Sequence, residues 1–254
     1  MKKNVAGKMV VITGGSRGIG AAITKAFWEA GDYVLVGARR SNDFLKGFGR
    51  RVRFKKIDVR FESEQAALAG TAIKWRGRID IFVNCAGFSD WRSVDKVDEK
   101  FWSTMIDTNL KGVFWGCKVA SLCLPKGGCI INISSLAGKR GSANNSVYCA
   151  SKFGVNGITQ SLAKELGPRG IRVNALCPVY VETEALHNAL GDELSPSGGK
   201  NINVFLKDFA KSNAALRRLP SAEEIAQLCV FLASDKASAI TGQCINVDCG
   251  VLPQ

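Results

Sequence analysis

The sequence predicts one α/β domain: a doubly wound, parallel, seven-stranded sheet with helices on both faces. Three observations predict it. Apolar runs alternate with segments of three- and four-residue periodicity along the chain. Most of those runs lack strict apolar–polar alternation, the mark of strands buried on both faces. No linker, repeat or compositional break divides the 254 residues, so 1–254 reads as a single unit.

The elements follow in order. "MVVIT" (9–13) is the first strand. Residues 19–30 place Ile19, Ala22, Ile23, Ala26, Phe27 and Ala30 on one helical face, and Gly31 supplies a stop. Strands follow at 33–37 and 52–59, a helix at 63–75, and a fourth strand at 79–87 that ends in glycine. A long helical pattern covers about 98–122, then a strand at 129–135, a helix at 146–166 and a strand at 171–178. Ser221 and Glu224 have capping-box spacing at the start of another helix, and 243–248 is the seventh strand. Residues 179–220 are the least regular, with "GDELSPSGGKN" in their middle. That is too long for a connector in a compact domain and reads as a substrate-binding loop or lid.

Composition narrows the function classes. No run approaches the roughly 20 apolar residues of a membrane span, and the start lacks the form of an export signal. Nine cysteines, no CxxC pair and a single histidine, His187, argue against a disulfide framework and a metal site. Reduced cysteines point to the cytoplasm. The net charge of +13 is uneven: residues 1–60 hold 14 Lys/Arg and 4 Asp/Glu. The cluster "RRVRFKK" (50–56) has little aromatic interleaving and no nucleic-acid motif beside it, so DNA or RNA is not an expected partner. Attraction of a small polyanion accounts for the charge better.

Two motifs carry chemistry. In "VVITGGSRGIGAAI", Gly14, Gly18 and Gly20 lie between a strand and a helix, with Ser16, Arg17 and Ile19 among them. Glycines admit phosphates close to the backbone, and the helix start offers unpaired N–H groups and a positive dipole end. In "NNSVYCASKFG", Tyr148 and Lys152 are four residues apart, hence on one helical face. A free phenol with pKa about 10 is a poor base near neutrality, and a nearby cation stabilises its ionised form.

With "NCAG" at 84–87, these motifs resemble the classical short-chain dehydrogenase/reductase family, in order and spacing, from Gly7 to Gly250. The resemblance implies a single-domain Rossmann-type fold and an oxidoreductase that moves hydride between a nicotinamide cofactor and a carbonyl/alcohol pair. It implies Tyr148 as acid/base, Lys152 as pKa tuner and ribose anchor, and Ser135 of "SSLAG" as donor to the substrate oxygen. Asn109 of "NLKGVF" would help hold a relay water. Asp58 and Val59 would border the adenine. Asn84, Ala86 and Gly87 would leave room for the cofactor, and Pro178, Val181 and Thr183 would hold the carboxamide.

Ala38 occupies the family's acidic ribose position and is followed by Arg39 and Arg40. Arginine there, with Arg17, suits a 2′-phosphate, which implies NADP(H). Val179 stands where the family has glycine, so the loop is either compatible with valine or reshaped. Phe88, Trp91 and Tyr180, with His187, Val204, Phe205 and Phe209 of the lid, are candidates for an apolar substrate pocket. The resemblance also implies a homotetramer or homodimer. Two further readings are a 3-oxoacyl-(acyl-carrier-protein) reductase and a nonenzymatic NADP-sensing protein.

Overall fold

The computed structural model describes residues 7–253. Seven strands form one sheet: β1 (Met9–Thr13), β2 (Tyr33–Ala38), β3 (Val52–Lys56), β4 (Ile81–Asn84), β5 (Cys129–Ile133), β6 (Arg172–Pro178) and β7 (Cys244–Val247). Their order is β3-β2-β1-β4-β5-β6-β7, and every pairing is parallel. The helices are α1 (Gly18–Glu29), α2 (Glu62–Arg76), α3 (Glu99–Ile106), α4 (Gly112–Cys123), α5 (Ser146–Leu166), α6 (Glu184–Leu190), α7 (Ile202–Asn213) and α8 (Ala222–Leu232). The predicted doubly wound architecture is the observed one.

Both faces of the sheet are covered, which is why its strands read as continuous apolar runs. Alternate residues of β1 divide between two cores. Val10 and Ile12 pack with Ile23 and Phe27 of α1 and with Ile225 and Leu232 of α8. Met9 and Val11 pack with Leu68 of α2, Val113 and Cys117 of α4, and Val155 of α5. Phe27 and Phe82 are no more than 1% exposed. Burying a side chain of that size contributes on the order of 1.5–3 kcal/mol. The capping box of Ser221 and Glu224 is present at α8. Among the described residues, no helix is long and apolar enough to cross a membrane.

Three local expectations are corrected. The strands stop short of the predicted runs: β4 ends at Asn84 and β3 at Lys56. The residues beyond them leave the sheet and wall a cleft. The helical pattern over 98–122 is continuous but not regular α-helix throughout, because residues 107–111 form a π turn between α3 and α4. Finally, 179–220 holds two helices. Thr183 caps α6 by accepting from Leu186 N–H, and Asn201 caps α7 by accepting from Asn203 and Val204.

The strand order reverses between β1 and β4. Such a switch point leaves a crevice at the carboxyl ends of the strands, where open α/β sheets take ligands. The glycine turn after β1 and the "NCAG" segment after β4 meet there.

Candidate active site

A cleft of about 960 Å³ runs along the carboxyl ends of the strands. One end is built by the glycine turn. Gly14 has φ of 72°, and a Cβ there would lie 2.7 Å from the Ala86 Cα, so no other residue fits without displacing the segment that follows β4. Ser16, Arg17, Gly18, Ile19 and Gly20 line the cleft with it. Arg39 and Arg40 reach the same end from β2, beside Asn42, whose Nδ2 donates to Ser16 O at 2.5 Å. None of these three arginines takes part in an ion pair among the described residues. Asp58 and Val59 also line this end. The Asp58 carboxylate receives Arg60 Nη2 at 2.6 Å, which holds its pKa below the ordinary carboxylate range.

The opposite end is built on β5 and α5. Ser135 follows β5, and its Oγ accepts from Ala137 N–H at 3.1 Å while remaining able to bond the phenol of Tyr148. Lys152 is one turn beyond Tyr148, with Nζ 5.7 Å from the phenol ring centroid. That Nζ donates to Ile133 O at 2.9 Å, and the residue is only 5% exposed. Burial penalises charge on both groups, and it pushes Tyr148 up to about 12 and Lys152 down to about 8. The sequence argument expected a lowered phenol. Desolvation outweighs the hydrogen bond with Ser135, so the phenol is pushed up and Tyr148 keeps its proton at neutral pH.

Gly87 connects the two ends. A Cβ there would lie 3.0 Å from Asn109 Oδ1 and 3.7 Å from Lys152 Nζ. Asn109 sits at the centre of the π turn, fully buried. Its amide clamps the Phe88 backbone, accepting from Phe88 N–H at 3.0 Å and donating to Phe88 O at 2.7 Å. Widened turns of this kind break the regular i→i−4 ladder, and they cluster at functional sites.

Ala86, Gly87, Phe88, Trp91, Val179, Tyr180, Val181 and Thr183 all line the cleft. Val179 has no positive φ, so valine needs no reshaping there. Seven predicted residues stand outside the lining: Asn84, Asn109, Pro178 and, from the lid, His187, Val204, Phe205 and Phe209. Asn109 lies behind Phe88, and Pro178 closes the end of β6. Asn84 faces inward, its Nδ2 donating to Asn132 Oδ1 at 2.9 Å. Of the lid aromatics, Phe205 and Phe209 pack on Tyr180, whereas Val204 is 56% exposed. His187 is in α6 and does not line the cleft. Among the described residues no cluster of His, Cys, Asp or Glu could hold a metal ion, and the nine cysteines are free.

The motifs did not single out Asn42, Leu136, Arg140, Ser142, Asn145 or Ala189, which also line the cleft. Asn145 could have been noticed, since it stands directly before the helix that carries Tyr148.

The family described as enoyl-(acyl carrier protein) reductase, a group of short-chain dehydrogenases/reductases, matches residues 14–252. A 3-oxoacyl-(acyl-carrier-protein) reductase of Chlamydia muridarum is 34% identical over 99% of this chain and 100% of its own length. The enzyme of that name from Thermotoga maritima is also 34% identical, over 97% of this chain and 98% of its own. Two solved structures superpose with a TM-score of 0.87 at 29% identity. One is the aldohexose dehydrogenase of Thermoplasma acidophilum, with 98% of each chain covered. The other is a variant actinorhodin polyketide ketoreductase with NADPH, covering 96% of this chain and 97% of its own. The switch-point cleft, the glycine turn and the Ser135–Tyr148–Lys152 cluster are thus features of an oxidoreductase with a nicotinamide cofactor, and this chain belongs to the short-chain dehydrogenase/reductase family.

Proposed function

We propose that the protein uses NADP(H) to reduce a small-molecule carbonyl to an alcohol, with Tyr148 as the proton donor. One observation carries the reading: a single cleft joins Ser135, Tyr148 and Lys152 at one end to Arg17, Arg39 and Arg40 at the other. The close approach at Gly14 suits a pyrophosphate, and three arginines outside the ion pairs of the described residues suit a 2′-phosphate. Asp58 is neutralised by Arg60 and does not oppose that phosphate.

When bound, NADP(H) supplies the hydride to the carbonyl carbon. Ser135 O–H orients the carbonyl oxygen and Tyr148 O–H donates its proton to the alkoxide that develops there. At neutral pH the phenol carries its proton, so the acid form is the one present. Lys152 supports the tyrosinate left behind and holds the ribose. Asn109 and the π turn place the water that returns the proton. Asp58 and Val59 border the adenine, and Pro178, Val181 and Thr183 hold the carboxamide. Ala86 and Gly87 give the cofactor room over β4, with Asn84 bracing the strand beneath.

Phe88, Trp91 and Tyr180 form the substrate pocket, and residues 179–220 act as its lid within one domain, 1–254. The protein works in the cytoplasm. Phe114 and Phe153, exposed on α4 and α5, suit contacts of a homotetramer or homodimer. Light scattering on the purified chain tests the assembly.

The decisive experiment follows NADPH absorbance over a panel of aldehydes and ketones. Turnover with NADPH, and a much higher KM for NADH, is the expected result. No turnover on any carbonyl, or a preference for NADH, overturns the proposal.

A second reading, 3-oxoacyl-(acyl-carrier-protein) reductase, is favoured by the relatives of that name and by the excess of positive charge. It predicts far faster turnover of a 3-oxoacyl group on an acidic carrier than of its simple ester.

A further inference from the structure

Asn145 is the N-cap residue of α5, three positions before Tyr148. Asparagine is among the best residues for that position, since its side-chain oxygen accepts from the first helical amides. Here the side chain makes no capping bond. Its Oδ1 is buried without a hydrogen-bond partner, and the whole residue is 5% exposed. It lines the cleft with Ser135 and Tyr148. A buried amide oxygen without a partner is costly and rare in folded proteins.

The backbone around Asn145 is tied down. Its own C=O accepts from Cys149 N–H at 2.9 Å. The preceding Asn144 adopts φ of 57°, a conformation that persists for a non-glycine residue only where its surroundings enforce it. They do so here: Asn144 O accepts from Arg92 N–H at 2.7 Å, and Asn144 Nδ2 donates to Leu194 O of the lid at 3.0 Å. What stays free is the terminal torsion of Asn145, a broad, soft rotation in asparagine. Rotation about it exchanges Oδ1 with Nδ2 on a residue that lines the cleft.

We infer that Asn145 is a substrate-binding residue whose amide oxygen accepts from a hydroxyl that the substrate carries close to its reacting carbonyl. Oδ1 is an acceptor, so a hydroxyl satisfies it and a second carbonyl does not. The missing partner of Asn145 then arrives with the substrate. A substrate with plain hydrocarbon at that place leaves the amide unsatisfied and is selected against, as in any site built to bond a polar group. The inference rests on the reductase reading above and narrows it to hydroxylated carbonyl compounds.

The test compares two ketones with NADPH and the full chain. 4-Hydroxy-2-butanone has a hydroxyl beside the ketone, and 2-pentanone has a methyl group in its place. The wild-type protein should favour the former. Asn145→Ala should lose about tenfold or more in kcat/KM for 4-hydroxy-2-butanone, mostly through KM, and stay within about twofold for 2-pentanone. Asn145→Leu keeps the side-chain size but removes the acceptor, and should show the same selective loss, which serves if the alanine variant does not fold. Equal losses on both ketones would mean that Asn145 only supports α5, and they overturn the inference, as does unchanged selectivity. A wild-type protein that oxidises NADPH with neither ketone overturns the reductase reading and this inference together. Turnover of both ketones with unshifted selectivity overturns this inference alone.

Discussion

The two ends of the cleft use positive charge in opposite ways. At the end that holds Tyr148, Lys152 is 5% exposed and surrounded by backbone, thiols and the phenol ring. Burial there shifts both titrating groups, the phenol up and the lysine down. At the other end, Arg17, Arg39 and Arg40 are open to solvent. In the proposed function they receive an anion. The difference teaches that desolvation, more than residue type, separates a group that does chemistry from one that recognises.

The sharpest way to break this comparison is Tyr148→Phe. Removing a positioned general acid should lower kcat by about 10²–10⁴-fold. Cofactor binding, read by fluorescence titration with NADPH, should persist. Parallel loss of binding would mean that the two ends are not separable.

Ser135→Ala comes next. Removing a donor to the developing alkoxide should cost about 10²–10³ in kcat. A smaller loss, confined to KM, would make Ser135 a ground-state contact only.

Arg39→Ala with Arg40→Ala should act at the other end alone. The KM for NADPH should rise about 10–100-fold, with the NADH values and kcat nearly unchanged. The remaining NADPH dependence should be less sensitive to salt.

The smallest effect concerns pH. Lys152 titrates near 8 in the folded chain, below the 10.5 of a free lysine, so its charge beside the phenol is lost as pH rises through about 8. Carbonyl reduction should decline above that pH, and Lys152→Met should flatten the profile. Stability moves the other way between about 8 and 10.5. There the unfolded lysine still binds a proton that the folded one has released, so stability rises with pH, and Lys152→Met should remove that rise in denaturant titrations.

Much of the site was legible because it depends on local rules. The capping box at Ser221 and Glu224 is a pattern of adjacent residues, and α8 starts there. The one-turn spacing of Tyr148 and Lys152 is set by helix geometry, and α5 runs over 146–166 as its periodicity predicts. The helices at 184 and 202 were missed although cap residues Thr183 and Asn201 were present, because the glycines and serines between them masked the pattern. The π turn at Asn109 has no comparable signal. It arises where the amide of Asn109 is drawn to the Phe88 backbone, 21 positions away in sequence.

The sequence by itself determined the sheet, its two cores, the glycine turn and the spacing of the reactive pair. These follow from periodicity and short-range sterics, which a chain carries in its residue order. The tertiary structure alone decided that the phenol is pushed up and not down, that Asn84 and Pro178 stand behind the cleft wall, and that Asn145 is left without a partner inside it. Desolvation and hydrogen-bond satisfaction depend on everything packed around an atom, and those neighbours are assembled only when distant segments fold together.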